Sequence, residues 1–399
     1  MLKTKKMLKI SYTTIVNKDF EPYLMQLIKS HQMFSRIDLT VYTINFEIKS
    51  NEYNNVNFVQ LFDENLQEFD DTGENKYIKN VYEKHKYTTL LKSKALKKIS
   101  DSYDYYFFID ADGLLTKNSD TLVINTINEF GFCKFPISVK YFYEYSTTHK
   151  YKQSVFDELG MFNPKSLGYY PLIELFNTDF NRIDYLTTYC VYYTKECIEF
   201  LDEVERICFD DNVIKDYDKY LPLGDETVFN YLYSKYNFNQ YISSYLCFDI
   251  NPEVEISRAL NNLKLMNNFV SFIHTKRFIP NPQGEKKFNN LVIDDYEKIF
   301  EVLKETEILK SNININSFNK NGEYDIINFN VNGDYDSNFN LRIVSLFRPN
   351  KEYYFNMNLC NDINFFVGKR SDVWVKDLYL IIAYFDGYAN IIKDCVKIN

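Results

Sequence analysis

The sequence predicts an α/β domain with a mainly parallel sheet flanked by helices, followed by a smaller all-β module. Residues 8–16 alternate apolar and polar side chains as a strand does, residues 21–31 place apolar side chains at helical spacing, and residues 38–46 return to a strand pattern. This order favours a parallel sheet, because parallel neighbours need a crossover between them. Beyond residue 312, short β-rich runs separated by Asn, Asp, Gly and Pro are typical of a sandwich.

Apolar spacing and breaker residues predict the remaining elements in order. Asp19 is the expected N-cap of the first helix. Further helices are predicted over residues 82–99, 122–130, 195–208, 225–236 and 294–309. Further strands are predicted over residues 57–62, 103–109, 134–143, 185–193, 241–250 and 270–273, and in the β-rich module over 325–331, 339–347, 353–359, 363–367 and 373–384. Residues 149–181 predict a long irregular excursion of the kind that forms substrate loops.

A cluster of breakers from Pro280 to Gly284 suggests where the first domain ends. We therefore expect an α/β domain over residues 1–285, a linker helix within 286–312 and a β-rich domain over 313–399.

Composition excludes several classes of protein. The chain has 399 residues and a net charge of −9, and an acidic chain is poorly suited to general nucleic-acid binding. Its seven cysteines form no C-x-x-C pair, which indicates neither a zinc site nor a disulfide framework. We expect no signal peptide, no transmembrane segment and a cytoplasmic location; the lysine-rich residues 1–10 leave peripheral contact with an anionic membrane open.

The strongest chemical motif lies at the end of the aromatic run at residues 103–109. Asp110 and Asp112 follow this buried strand directly, and Gly113 completes a turn. Two carboxylates one residue apart at a strand end can converge on one hard divalent cation, and ligands of open α/β sheets bind outside the carboxyl ends of strands. An ordinary turn is the alternative, since Asp and Gly are common turn residues.

Two later stretches also group polar residues. Asp225 and Glu226 begin a helix, where acids suit the helix dipole and a simple cap is the alternative. His274 follows an apolar strand and precedes Lys276 and Arg277, a grouping suited to phosphate. Earlier, the helix at residues 82–99 carries lysines that form either a solvated face or a contact to an anionic ligand: Lys86, Lys92, Lys94, Lys97 and Lys98.

Taken together, these stretches resemble glycosyltransferases of the GT-A fold over residues 5–280, and within that fold the retaining family 6, the blood-group A/B and α1,3-galactosyltransferases. The resemblance is carried by Lys92-Ser93-Lys94, by Tyr106 to Asp112, by Asp225-Glu226-Thr227 with Asn230, and by Thr275-Lys276. The chain departs from the family 6 pattern in having Gly224 in place of His, Leu232 in place of Tyr, and Lys92 in place of Arg.

The resemblance implies roles for these residues. Asp110 and Asp112 would bind Mn²⁺ or Mg²⁺, with Asp110 also near the ribose, and His274 would be a third ligand as in some other retaining families. Glu226 would lie under the anomeric carbon as nucleophile or stabiliser, and Asp225 would hold sugar hydroxyls. The remaining contacts to the nucleotide would come from Thr14 and Val16 at the base and from Lys92, Lys94, Lys276 and Arg277 at the diphosphate.

The function expected is therefore metal-dependent transfer of a hexose of the galactose, GalNAc or glucose type from a UDP-sugar to a glycan or glycoconjugate acceptor, with retention. Three alternatives stay open. An inverting enzyme would use the Asp225/Glu226 pair as base, a DNA-base glycosyltransferase would need a local basic groove, and an inactive glycan-binding protein would keep the fold alone.

Overall fold

The computed structural model describes residues 8–48, 53–98, 102–140, 168–181, 183, 186–242, 247–250, 256–267, 270–275 and 293–305, together with the strands of the C-terminal part. The strands up to residue 275 are β1 Ile10–Asn17, β2 Asp38–Ile44, β3 Val56–Leu61, β4 Tyr105–Ile109, β5 Gly113–Leu115, β6 Ile137–Lys140, β7 Leu186–Thr194, β8 Tyr241–Ile242, β9 Cys247–Ile250 and β10 Phe272–Thr275. The helices are α1 Glu21–Phe34, α2 Glu64–Thr72, α3 Val81–Leu90, α4 Lys92–Lys97, α5 Ser119–Phe130, α6 Tyr170–Phe176, α7 Ile198–Cys208, α8 Asp211–Ile214, α9 Tyr217–Tyr220, α10 Asp225–Lys235, α11 Ile256–Met266 and α12 Ile293–Lys304.

Among the described residues, seven strands form a central sheet in the order β3-β2-β1-β4-β7-β6-β8. Strands β3, β2, β1 and β4 are parallel to one another, and β7 is antiparallel to both of its neighbours, β4 and β6. Strand β8 is parallel to β6. The structure therefore confirms the mainly parallel α/β fold expected from the sequence.

The central strand β4 is buried on both faces. Tyr106 and Phe108 lie in one apolar core with residues of α10, whereas Phe107 and Ile109 lie in a second core with residues of α1. Side chains alternate between the faces of a strand, so a strand covered by helices on both sides must be apolar throughout. This double burial accounts for the unbroken aromatic run before Asp110.

A second, three-stranded sheet in the order β5-β10-β9 lies next to the turn that follows β4. Strand β10 is antiparallel to β5 and parallel to β9. Leu114 of β5, Ile273 of β10 and Phe300 of α12 share one apolar core. The helix expected as a linker therefore packs on this small sheet.

The C-terminal part contains β11 Ile313–Lys320, β12 Asp325–Val331, β13 Asn340–Ser345, β14 Tyr353–Asn356, β15 Ile363–Val367, β16 Leu378–Phe385 and β17 Asn390–Lys397. They form two antiparallel sheets, β11-β12-β15 and β14-β13-β16-β17. Every element described in this part of the chain is a strand, in agreement with the β-rich module expected from the sequence. Strands β11 and β17 were not predicted, and β11 is rich in Asn, a residue that is depleted in strands.

Four local predictions were wrong. The irregular excursion predicted over residues 149–181 contains helix α6, and its residues 149–167 lie outside the described residues. The helix predicted over residues 82–99 is divided at Leu91, whose N–H donates to Thr88 O at 3.2 Å and tightens the chain there. The strand predicted over residues 241–250 is two strands in different sheets. Asp19 lies within a short 3₁₀ turn, and α1 begins after Phe20 without a side-chain cap.

In the part of the chain that the structure describes, no helix is long and apolar enough to cross a membrane.

Candidate active site

A cavity of about 380 Å³ opens where β1 and β4 end and α10 begins. The edge of a sheet at which parallel strands end is the usual ligand site of an open α/β sheet. Residues from six parts of the chain line this cavity: Val16, Asn17, Lys92, Asp110, Asp112, Thr188, Tyr189, Asp225, Glu226 and His274.

A tight turn after β4 fixes the two carboxylates of the D-x-D motif. The N–H of Asp110 donates to Tyr189 O at 2.9 Å, which extends the pairing of β4 with β7, and the N–H of Gly113 donates to Asp110 O at 2.8 Å. A Cβ atom at Gly113 would collide with the side chain of Ile109. The turn therefore needs glycine at this position, and it presents both carboxylates to the cavity.

Strand β10 brings His274 to the same turn. His274 lies opposite Gly113 in the antiparallel register of β10 and β5. The N–H and the hydroxyl of Thr275 donate to Asp112 O at 3.0 and 2.6 Å. The imidazole of His274 stacks on the ring of Tyr189 at 4.5 Å, and its Nε2 lies 3.5 Å from Asp112 Oδ1.

One potential ligand atom each from Asp110, Asp112 and His274 lies within 4.8 Å of the other two. Two carboxylate oxygens and one imidazole nitrogen form a donor set that suits Mn²⁺, and the oxygens suit Mg²⁺. These three residues therefore fit the divalent ion expected from the sequence.

The two carboxylates of this cluster have different environments. Burial raises the pKa of Asp110, and the neighbouring charge of Lys92 offsets only part of this effect. Burial also tends to raise the pKa of Asp112, but the charge and hydrogen bond of His274 outweigh it, so the pKa of Asp112 is lowered. Asp112 is therefore the more readily ionised of the pair.

Lys92 joins the D-x-D turn to the start of α10. Its Nζ atom lies 3.1 Å from both Asp110 Oδ1 and Asp225 Oδ2, and it donates to Thr188 O at 3.1 Å. It also lies 4.7 Å above the ring of Phe108. Burial would lower the pKa of Lys92, but the two carboxylates outweigh this effect and raise it, so the buried ammonium stays charged.

The first turn of α10 presents Asp225 and Glu226 differently. Asp225 is only 3% exposed and accepts a hydrogen bond from the Thr188 hydroxyl at 3.0 Å. Glu226 is partly exposed in the cavity, and its Oε2 accepts from the N–H of Thr188 at 3.3 Å. The amide of Asn230 is bonded to both the N–H and the C=O of Leu186, which fixes this helix against β7.

Gly224 precedes α10 in a conformation that disfavours a side chain. Its φ is +61°, and a Cβ atom would collide with Thr89 Oγ1. The hydroxyl of Thr89 in turn donates to Lys86 O at 2.8 Å. The close contact between α3 and the loop before α10 therefore requires glycine at position 224.

The structure brings together most of the site residues predicted from the sequence. Val16 lines the cavity together with the D-x-D carboxylates, the Asp225/Glu226 pair and His274. Thr14 is buried and does not line it. Lys94 points elsewhere: its Nζ lies 3.2 Å from Asp63 Oδ2 and 4.6 Å above the ring of Phe209. Lys276 and Arg277 lie outside the described residues.

The cavity residues that were not predicted from the sequence include Asn17, His85, Thr188 and Tyr189. Lys86, one of the lysines for which contact to an anionic ligand was left open, also lines the cavity. Thr188 and Tyr189 lie within β7, where no local motif distinguishes them from other strand residues. His85 and Lys86 lie on α3. Which side of this helix faces the cavity depends on how the helix packs in the folded protein, and the sequence alone does not show this.

The solved structures that match this chain at low identity include the following three. Mouse xyloside xylosyltransferase 1 in its apo form is 9% identical with a TM-score of 0.38, over 68% of this chain and 99% of that one. A glycosyltransferase involved in glycosylation of the major capsid of PBCV-1 is 9% identical with a TM-score of 0.37, over 74% and 98%. S. aureus TarS 1-349 is 14% identical with a TM-score of 0.25, over 66% and 81%. No protein-family model and no curated protein matches the sequence.

Proposed function

We propose that this protein is a metal-dependent glycosyltransferase that moves a hexose from a UDP-sugar to a glycan acceptor, with retention. The proposal is carried by one observation: two clusters of acidic residues line the same cavity. The cluster of Asp110, Asp112 and His274 has the donor atoms for a divalent ion, and Asp225 and Glu226 line the same cavity. Transfer from a nucleotide sugar needs a bound cation that stabilises the departing diphosphate and a carboxylate that acts at the sugar.

In this proposal Asp110, Asp112 and His274 hold Mn²⁺ or Mg²⁺. When bound, the ion supplies Lewis-acid stabilisation of the diphosphate leaving group. Lys92 positions the site, because its ammonium is enclosed by Asp110, Asp225, Thr188 and Phe108. Lys276 and Arg277 follow Thr275 in sequence, and by the resemblance they add positive charge to the departing diphosphate.

Glu226 is the proposed catalytic carboxylate. Asp225 is held by Lys92 and by the Thr188 hydroxyl and is almost completely buried, which suits an orienting role towards sugar hydroxyls. Glu226 is partly exposed to the cavity, so it can approach an anomeric carbon. A carboxylate there acts as nucleophile or stabilises an oxocarbenium-like transition state.

A turnover assay with a panel of sugar nucleotides, run with Mn²⁺, tests the proposal. We expect metal-dependent release of UDP from one hexose donor, and loss of that release in Asp112→Asn. The absence of turnover with every donor and acceptor, in protein that binds none of the nucleotides, contradicts it. An α-linked product from an α-donor, identified by NMR, supports retention, whereas a β-linked product assigns Glu226 to the base role of an inverting enzyme.

The proposed catalytic unit spans residues 1–285. Within the described residues, α12 packs on the small sheet that carries His274. We therefore propose that α12 belongs with the catalytic unit, and activity assays use the full chain because β17 of the β-rich domain also contacts α11.

A further inference from the structure

A second cavity lies next to the first. It has a volume of about 520 Å³ and opens between the start of α3 and the segment that carries α8 and α9. Cavities of about 300–1,000 Å³ are the usual size for small-molecule sites. Lys86 lines both cavities. A ligand in the second cavity would therefore lie one side chain away from the cavity that contains Glu226.

Lys86 is a fixed part of the wall between the two cavities. Its side chain is 8% exposed, and its Nζ atom lies 2.7 Å from Oδ1 of Asp218. The side chain of Asp218 is 83% exposed, so most of its carboxylate remains open to a further hydrogen-bond donor. The second cavity therefore offers a carboxylate acceptor that is held in place by a buried ammonium group.

The positive and negative side chains that line the second cavity are equal in number. The lysines are Lys76, Lys79, Lys86 and Lys215, and the acids are Glu83, Asp211, Asp216 and Asp218. A ligand of either charge would meet like charges in this wall, which disfavour its binding. An uncharged ligand with several hydroxyl groups can donate to the carboxylates and accept from the ammonium groups. The wall therefore favours a neutral molecule rich in hydroxyl groups, such as a sugar.

Tyr217 lines the second cavity and is 8% exposed. Among the described residues, its hydroxyl has no hydrogen-bond partner. Burial raises the pKa of Tyr217, and the neighbouring Cys208, Glu83 and Tyr77 raise it further, so the phenol keeps its proton. Glu83 and Tyr77 line the same cavity, which places the hydroxyl beside it. Because buried polar groups nearly always have partners, this O–H donor indicates an acceptor atom that a ligand brings.

We propose that the second cavity is a subsite for an uncharged sugar unit of the acceptor, in which the hydroxyl of Tyr217 donates to an oxygen of that sugar. Asp218 and Glu83 accept hydrogen bonds from its hydroxyl groups. This inference rests on the proposed function, which needs an acceptor beside the donor. Since Lys86 separates the two cavities, the sugar unit held here is remote from the bond that forms, and its binding contributes affinity and orientation.

Saturation-transfer NMR on the full chain tests this site with the methyl glycosides of glucose, galactose, mannose and xylose, and with inorganic phosphate as the charged comparison. We expect at least one glycoside to bind and phosphate not to displace it. In Tyr217→Phe the affinity for this glycoside is expected to fall about threefold to tenfold, because one neutral hydrogen bond is lost. Tyr220→Phe is the matched control with unchanged affinity, since Tyr220 lies on the same helix and does not line the cavity.

Three results overturn the proposal: no glycoside binds, a glycoside binds equally well to Tyr217→Phe, or phosphate displaces the glycoside and so identifies an anion site. Loss of folding does not explain a weaker affinity, because Tyr217→Phe removes a hydroxyl that has no partner among the described residues. Thermal unfolding of this variant should therefore occur at the temperature of the unaltered chain or above it.

These titrations contain no nucleotide, so they separate the sugar subsite from the proposed function. Glycoside binding that depends on Tyr217, in a chain that releases UDP from no donor, overturns the proposed function and supports a sugar site. UDP release without glycoside binding overturns the subsite alone. With an acceptor found in the turnover assay, Tyr217→Phe should raise the KM for that acceptor about threefold to tenfold with little change in kcat, and an unchanged KM contradicts the role of Tyr217.

Discussion

The ammonium nitrogen of Lys92 lies 3.1 Å from the Asp225 carboxylate, and both side chains are almost completely buried. The same nitrogen lies 3.1 Å from Asp110. One buried cation thus connects the turn that carries the proposed metal ligands to the helix that carries the proposed catalytic acids. The geometry of these two parts of the site depends on a single charge.

Lys92→Met is therefore expected to destabilise the protein by about 3–5 kcal/mol, because two buried carboxylates lose their partner. Chemical denaturation measures this change. The matched control is Lys29→Met, which removes a half-exposed ion pair with Glu297 and should change stability by less than about 1 kcal/mol. Equal effects of the two substitutions would show that Lys92 is not the link described here.

Gly224→Ala is expected to destabilise the protein by about 1–3 kcal/mol and to lower activity, because the positive φ and the collision with Thr89 both displace the start of α10. Gly73→Ala separates the two causes, since Gly73 has φ +82° with nothing near its Cβ position. Added Thr89→Ala should restore part of the stability of Gly224→Ala. If Gly224→Ala behaves like Gly73→Ala in stability and activity, the close contact has no role.

His31 should make the free energy of unfolding depend on pH. Burial lowers the pKa of His31 from its ordinary value of 6.5, although its Nε2 lies 2.7 Å from Ile37 O. A base with a lowered folded-state pKa is more readily protonated when unfolded, so stability is full above pH 6.5 and falls as pH drops through the lowered value. Denaturation curves between about pH 7.5 and about pH 5.5 should show this loss, and His31→Gln should reduce the slope. An unchanged slope in the variant would refute the assignment.

Glu226→Gln is expected to lower kcat by at least about 10²-fold while UDP binding and stability stay close to those of the unaltered protein. Asp225→Asn should lower the free energy of unfolding as well as the activity, because it leaves the buried Lys92 with one carboxylate fewer. Steady-state kinetics with thermal unfolding of both variants distinguishes these outcomes. Full activity of Glu226→Gln would remove it from the chemistry.

The sequence predicted the features that local patterns encode. Asp110 and Asp112 follow an aromatic strand, His274 lies at the end of another strand, and Asp225 and Glu226 begin α10. Local patterns reveal such positions, and the structure places these side chains in one cavity. Thr188 and Asn17 could not be found this way, because their place at the cavity depends on which strand lies beside β4 and on the hydrogen bond that Asn17 donates to Thr88 of α3. Lys94 illustrates the converse, since it is two residues from Lys92 on the same helix, and this spacing turns it towards Asp63.

The most direct test of the central claim is the affinity for UDP measured by titration calorimetry with and without Mn²⁺. The claim predicts binding in Mn²⁺ that weakens at least about tenfold in EDTA and in Asp112→Asn, with no such loss in Asp71→Asn, an exposed acid on α2. UDP binding of equal affinity in Mn²⁺ and in EDTA would contradict the claim that Asp110, Asp112 and His274 hold the ion that binds the diphosphate.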